Sequence, residues 1–124
     1  MKRIETTSTI YTLEGNVLIS KLKSNHNMTV QDTVENYEAR QTLDLRYPML
    51  ALMDLRHLSG MDFNAIMAMN DQREADLISA AAMVLGKPIH YIIAKEARRF
   101  RKYKFPVKVF KDYDKAMSWL MEHS

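Results

Sequence analysis

The sequence predicts one α/β domain over residues 1–124, with a mainly parallel five-stranded sheet and about four helices in the order ββαβαβαβα. Three observations support this prediction. Two alternating runs open the chain, residues 49–55 are apolar almost throughout, and capped segments with helical spacing separate the later apolar runs. Such a succession is typical of strand-helix-strand units, whose strands pair in parallel beneath covering helices.

The opening residues predict a β-hairpin. The run from Ile4 to Leu13 alternates and is rich in threonine, and Val17 to Leu22 alternates again. Between them, residues 14–16 have the composition of a turn, with Gly15 at its centre. Two alternating runs joined by such a turn indicate a pair of antiparallel strands.

A first helix is predicted after this hairpin. Thr29 is a suitable N-cap, Asp32 lies in the first turn, and we expect the helix to end near Leu45. Its inward stripe is predicted from residues spaced by three and four positions, namely Val30, Val34, Tyr37 and Gln41.

The apolar run after Pro48 predicts the central strand, because a strand covered on both faces has no alternation. Asp62 then caps a second helix, whose inward positions are Phe63, Ile66, Met67, Asn70, Leu77 and Ile78. Ala80 to Leu85 follows as another buried strand.

Two further helices flank the last predicted strand, Val107 to Phe110. Pro88 suits the first turn of the third helix, and the stripe expected to face inward is Ile89, Ile92, Ile93, Phe100 and Tyr103. Asp112 caps the closing helix, whose inward residues are Tyr113, Ala116, Met117, Leu120 and Met121. Partial burial is expected for Trp119, at the edge of that stripe.

Composition narrows the functional classes. The chain has 124 residues, 47% of them hydrophobic, 27% charged and none of them cysteine, which excludes thiolate metal sites and thiol nucleophiles. The four histidines are too scattered to suggest a metal site, so we expect neither a metal nor another cofactor. No apolar run approaches the ~20 residues of a membrane span, and we expect a cytoplasmic protein.

The loop after the central strand is the predicted site. Open α/β sheets bind ligands where strand carboxyl ends and helix amino ends converge. We name residues 54–64 the switch loop. Its candidate site residues are Asp54, Arg56, His57, Ser59, Asp62 and Asn64.

Two stretches resemble the SpoIIAA-like branch of the STAS domains: PMLALMDLRHLSGMD, residues 48–62, and FPVKVFKDYDKAMSWLMEHS, residues 105–124. This resemblance implies a STAS-like fold and a regulatory role. Anti-sigma-factor antagonists with this fold carry a phosphorylated serine directly after the turn aspartate at the helix start. Asp62 matches that aspartate, which puts Phe63 at the serine position and Asn64 at the next one. We therefore expect no phosphoserine switch, and Ser59 is the remaining alternative acceptor.

Catalysis is the less favoured interpretation of the same residues. Asp54 and Asp62 could serve as acid and base or hold magnesium, but Asp62 suffices as an N-cap, and Asp54, next to Arg56 and His57, suits a local ion pair. His57 and Ser59 lack the glycine-rich turn that presents a nucleophile. The sequence thus predicts a non-enzymatic regulatory or protein-interaction domain.

A basic segment, residues 95–104, holds six of the 18 lysines and arginines and a single acidic residue. Its anion-binding candidates are Arg98, Arg99, Arg101 and Lys102. The segment could simply be the solvent-exposed face of a helix. It could also contact an acidic protein or, weakly, an anionic membrane. Nucleic acid is disfavoured as a partner, because the chain has no longer basic track. A homodimer is also left open.

The resemblance extends in fold to CRAL-TRIO lipid carriers, which implies an alternative function. In that case the protein would carry a small apolar or anionic ligand such as a lipid, with the third helix as a lid. Ile89, Ile92, Ile93 and Phe100 would then face the lipid tail, and the basic candidates its head group.

Overall fold

The structure, a computed structural model, describes residues 2–24, 26–61, 64–65, 76–100 and 104–123, with residues 97–100 described by their backbone alone. The strands in this part of the chain are β1 (Lys2–Glu5), β2 (Thr9–Glu14), β3 (Val17–Leu22), β4 (Asn27–Met28), β5 (Met49–Asp54), β6 (Gly60–Met61), β7 (Ile78–Val84) and β8 (Val107–Phe110). The helices are α1 (Val30–Arg40), α2 (Pro88–Phe100) and α3 (Tyr113–Met121).

Six strands form one sheet in the order β1-β2-β3-β5-β7-β8, and β4 pairs in parallel with β6 in a separate sheet. β1, β2 and β3 are antiparallel neighbours, whereas β3, β5, β7 and β8 run parallel to one another. The predicted α/β fold with a mainly parallel sheet is confirmed. β5 lies between β3 and β7, as expected of the central strand.

The predicted number of five strands was wrong, and so was the predicted order. The run from Ile4 to Leu13 breaks at Thr6, whose backbone N–H donates to the Thr9 carbonyl at 2.8 Å and whose hydroxyl donates to the same oxygen. Hydroxyl side chains compete with strand pairing through such local bonds, so β1 folds back onto β2. β4 and β6 have two residues each, too few to show alternation.

The predicted second helix falls largely outside the described residues, which exclude residues 62–63 and 66–75. Asn64 and Ala65 have helical backbones. Ile78, which was assigned to this helix, begins β7 instead. β7 therefore starts two residues before the predicted position at Ala80.

β5 is buried on both faces of the sheet. Leu50 and Leu52 pack in one cluster with Ala116 and Leu120 of α3. On the opposite face, Met53 packs against a second cluster that includes Ile93 of α2. Alternate residues of a strand point to opposite faces, so α2 and α3 cover the sheet from opposite sides.

α3 begins as predicted, because the Asp112 carboxylate accepts hydrogen bonds from the backbone N–H groups of Asp114 and Lys115. Trp119 is partly buried, with its ring centroid 5.8 Å from that of Phe110 in β8. This agrees with the predicted partial burial. The inward position predicted for Met121 was wrong: it is exposed at the last residue of the helix, beyond which no further turn covers it.

α1 is capped as predicted by Thr29, which forms a reciprocal capping box with Asp32, but it ends at Arg40 rather than near Leu45. Its predicted inward stripe was wrong. Val30 and Val34 are exposed, while the buried residues are Asp32, Thr33, Asn36 and Arg40. Polar contacts with the sheet determine this orientation of α1. Asn36 donates to the buried Ser8 and Thr9 hydroxyls, and Arg40 donates to the Tyr11 hydroxyl.

α2 is also rotated relative to the prediction. Ile93 is buried as expected, but Ile89 and Ile92 are exposed, and His90 and Ala94 take inward positions. His90 accepts a hydrogen bond from the Gly86 N–H and bonds to the Leu58 carbonyl, and these contacts turn this face inward. None of the helices in the described ranges is long and apolar enough to span a bilayer.

Candidate functional site

The switch loop leaves β5 at the carboxyl ends of the parallel strands, and the structure describes its residues 54–61 and 64. Leu55 and Leu58 are buried in the cluster that also contains Ile93 of α2. The Leu55 N–H donates to the Val84 carbonyl at 2.9 Å, and the Leu58 N–H donates to the Leu55 carbonyl at 3.1 Å. Two leucine anchors and two backbone hydrogen bonds therefore fix the first half of the loop.

His90 fastens the loop to α2. It is fully buried, and its Nδ1 atom accepts hydrogen bonds from the backbone N–H groups of Gly86 and Lys87 at 3.0 and 3.1 Å. An accepting Nδ1 atom carries no proton, so the proton of the neutral ring lies on Nε2. Nε2 donates it to the Leu58 carbonyl at 2.8 Å.

Sequence reasoning missed this role of His90. A lone histidine two residues after a helix-starting proline has no spacing that distinguishes it from a surface histidine. Its hydrogen-bond partner Leu58 lies 32 residues away in the chain. Only the fold brings the two residues together.

The other side of the loop is fastened to the start of α1. The Ser59 N–H donates to the His26 carbonyl at 3.1 Å, next to the paired strands β4 and β6. The His26 Nε2 atom lies 2.7 Å from the Asp32 carboxylate inside the α1 capping box. Burial raises the pKa of Asp32, but hydrogen bonds from His26 and Thr29 outweigh burial and hold this pKa below its ordinary value.

The local ion pair predicted at Asp54 is present. The Asp54 carboxylate is only 3% exposed, and its two oxygens accept from Nε and Nη2 of Arg56 at 2.9 and 2.8 Å. The Arg56 guanidinium also lies 5.6 Å from the ring centroid of Tyr113 in α3. Burial raises the pKa of Asp54, but hydrogen bonds from the Arg56 side chain and backbone outweigh it, so the pKa is lowered.

The remaining described candidates point to solvent. His57, Ser59 and Asn64 are exposed, and Arg56 is partly exposed. The structure therefore brings Asp54 and Arg56 together but leaves His57, Ser59 and Asn64 as separate surface groups.

Several predicted site residues lie outside the described part of the chain. Asp62 and Phe63 are among them, and so are Arg101, Lys102 and the side chains of Arg98 and Arg99. The absence of phosphotransfer at Phe63 and the anion-binding role of the basic segment stay predictions.

The lid arrangement expected for a lipid carrier was wrong for two of its residues. Ile89 and Ile92 face solvent rather than the sheet, because His90 and Ile93 occupy the inward face of α2. Elsewhere, a depression of about 410 Å³ is lined by residues 40–45 and Leu77. It is mainly polar and contains none of the candidate site residues.

Over the residues that the structure describes, no group of three or more histidine, cysteine, aspartate or glutamate side chains could hold a metal ion. Every buried side-chain nitrogen and oxygen in the same residues has a hydrogen-bond partner. The described site therefore consists of a paired carboxylate, a fastened loop backbone and a few exposed polar side chains.

A protein-family model described as "Domain of unknown function (DUF7793)" matches residues 11–124. Among curated proteins, none matches the sequence. The fold is similar to the crystal structure of an uncharacterized protein of the DUF3478 family from Shewanella loihica PV-4, which has a SpoIIAA-like fold. The two share 17% sequence identity with a TM-score of 0.63, over 96% of this chain and 90% of the other. This similarity shows a SpoIIAA-like fold.

Proposed function

The chain belongs to the DUF7793 family, and we propose that it is a non-enzymatic, STAS-like protein-recognition domain with a regulatory role. The switch loop is its recognition surface, and another protein is its partner. Because Phe63 has no hydroxyl, phosphorylation at that position does not regulate the binding of this partner.

One observation carries the proposal: the loop backbone is held in place at Leu58 and Ser59, while the polar side chains in the described part of the loop are presented to solvent. His90 holds the Leu58 carbonyl, and the His26 carbonyl holds the Ser59 N–H. A loop that is already ordered loses little conformational entropy when a partner binds, so preorganisation favours affinity. Among the described residues of the loop, Arg56, His57, Ser59 and Asn64 have side chains available for contact.

The state of Asp54 supports recognition over catalysis. A general base needs a carboxylate that can reach a substrate proton, but both Asp54 oxygens are engaged by Arg56 and the side chain is buried. The pair instead orients the Arg56 guanidinium between the carboxylate and the Tyr113 ring. Asp54 thereby positions part of the contact surface.

Site-specific photocrosslinking tests the proposal. p-Benzoylphenylalanine replaces His57 or Ser59 in the protein expressed in its own organism, and crosslinked partners are identified by mass spectrometry. Met121, an exposed residue of α3 on the opposite side of the sheet, is the matched control position. We expect one protein to be captured from both loop positions and not from Met121. Capture from neither loop position, or equal capture from Met121, would contradict the proposal.

A further inference from the structure

We propose that the outer faces of α1 and α2 form the contact with a second copy of this chain. We name this surface the helical face: Val30, Val34 and Glu38 of α1, and Ile89, Tyr91, Ile92 and Lys95 of α2. In the dimer, α1 of each copy packs against α2 of the other. The inference does not depend on the function proposed for the switch loop.

The first observation is the inverted polarity of α1. A surface helix ordinarily turns its apolar stripe towards the core, but α1 docks on the sheet through Asn36 and Arg40. Val30 and Val34, one turn apart, are left 40% and 45% exposed. The packing of a single chain therefore leaves this apolar stripe partly exposed to solvent.

The second observation is that α2 exposes its own apolar residues on the same side of the sheet. Ile89, Tyr91 and Ile92 are 38%, 39% and 56% exposed. Thr9, which hydrogen-bonds to α1, is paired across the strands with Leu22, and Leu22 packs in the cluster that contains Ile93 of α2. Five of the seven large hydrophobic side chains that are exposed in the described residues thus lie on these two helices. Exposed apolar groups collected on one side of a protein indicate an interaction surface.

The charges on the two helices favour contact of α1 in one copy with α2 in the other. Among the described side chains, Glu38 is the exposed charged residue of α1 and Lys95 is the exposed charged residue of α2. Contact between two copies of α1 would bring acidic residues together, and contact between two copies of α2 would bring basic residues together. Packing α1 on α2 pairs opposite charges, which favours association and fixes the partner surface.

Symmetry makes this pairing self-consistent. α1 connects the parallel strands β3 and β5, and α2 connects the parallel strands β7 and β8, so both helices run against the strand direction. A two-fold axis parallel to the strands stacks two helical faces and sets α1 parallel to α2 of the other copy. Glu38 lies one turn after Val34, and Lys95 one turn after Ile92, so parallel packing that joins Val34 to Ile92 also joins Glu38 to Lys95.

The size of the interface favours a dimer over a single helix contact. A two-fold axis repeats each contact, so the α1–α2 pairing occurs twice. A contact that is made twice buries twice the area of a single helix pair, and a specific interface needs ~1,000 Å² of total buried area.

Sedimentation velocity over about 5 to 300 μM protein tests the proposal. We expect the wild-type chain to become dimeric over this range and to dissociate more readily at high salt, because exposed charges are screened. Val34→Glu and Ile92→Glu should each remain monomeric at the highest concentration. Met121→Glu, at a residue as exposed as Val34 but on α3, is the matched control and should dimerise like the wild type.

Charge reversal gives a second test in variants whose changes lie on exposed side chains. Glu38→Lys and Lys95→Glu should each weaken dimerisation about tenfold or more, and the combined variant should recover most of the wild-type affinity. A wild-type chain that stays monomeric to 300 μM overturns the proposal, and flotation of that monomer with phosphatidylglycerol vesicles would assign the face to a membrane. Failure of the combined variant to recover, or disruption by Met121→Glu, overturns the proposal equally.

Discussion

His90 shows how a single buried side chain can hold a surface loop in place. Its Nδ1 atom satisfies two backbone N–H groups before α2, and its Nε2–H group satisfies the Leu58 carbonyl in the switch loop. A side chain that could only accept would bond to the backbone before α2 but not to the switch loop. A side chain that could only donate would bond to the switch loop but not to that backbone. The residue is therefore a positioning residue for the surface that we assign to recognition.

His90→Asn should release the switch loop while keeping the start of α2. The asparagine carboxamide oxygen takes the place of Nδ1 but cannot reach the Leu58 carbonyl, which is left without its partner at a cost of about 1–3 kcal/mol. Hydrogen exchange should accelerate at the amides of Leu58 and Ser59. In His90→Gln, which keeps a donor near the position of Nε2, these two amides should stay more protected. Equal protection of the loop in the wild type and in His90→Asn would show that His90 does not hold it.

The Asp54–Arg56 pair should make stability depend on pH in the acid range. The pKa of Asp54 is lower in the folded chain than its unfolded value of about 3.9. Its stabilisation is therefore complete above about pH 4 to 5 and is lost as the pH falls through the folded pKa. Urea denaturation should show that Asp54→Asn is less stable than the wild type at pH 7, and that this difference shrinks towards pH 3. The stability of Arg56→Gln should likewise approach that of the wild type towards pH 3. A stability difference that stays constant from pH 7 to pH 3 would argue against a stabilising Asp54–Arg56 pair.

At the scale of elements, sequence periodicity predicted helix positions better than helix orientation. The caps Thr29 and Asp112 were predicted because capping depends on residues within one turn. The inward face of α1 was not, because a hydrophobic stripe identifies the buried face only when the surface beneath it is apolar. Beneath α1 lie the hydroxyl groups of Ser8, Thr9 and Tyr11, which bond to Asn36 and Arg40.

Asn36→Ala tests whether α1 is docked by polar contacts. The change removes the donor to the Ser8 and Thr9 hydroxyls and leaves the Thr6 hydroxyl without one of its acceptors. Buried polar groups without partners should cost about 1–3 kcal/mol of unfolding free energy in chemical denaturation. Gln31→Ala, at an exposed position of the same helix, should stay within about 0.5 kcal/mol of the wild type. A loss for Asn36→Ala as small as that of the control would mean that the network contributes little.

Trp119→Ala tests the docking of α3. The indole packs partly buried against Phe110 and His123. Because fully buried tryptophans cost about 3–5 kcal/mol on truncation, we expect a loss near or just below 3 kcal/mol. Met121→Ala, at the exposed end of the same helix, should cost much less. A loss below about 1 kcal/mol for Trp119→Ala would mean that α3 is only loosely docked.

At the scale of the whole molecule, the sequence predicted the parallel core and the position of the switch loop after its central strand. β5 was identified because its residues are apolar almost throughout, and the switch loop followed from its position after that strand. A local ion pair of Asp54 was predicted because Arg56 and His57 are its neighbours in the chain, and the structure shows Arg56 as the partner. The contacts of His90 and His26 with the loop could not be predicted, because each depends on residues that only the folded sheet brings together.

The central claim is that this SpoIIAA-like domain recognises a protein through the exposed side chains of the switch loop. Its most direct test is the dissociation constant of the photocrosslinked partner, measured by calorimetry for the wild type and for the double variant His57→Ala/Ser59→Ala. Both side chains are exposed, so the variant should keep its fold. We predict at least tenfold weaker binding, in keeping with the loss of central contact residues. An unchanged dissociation constant would contradict the account.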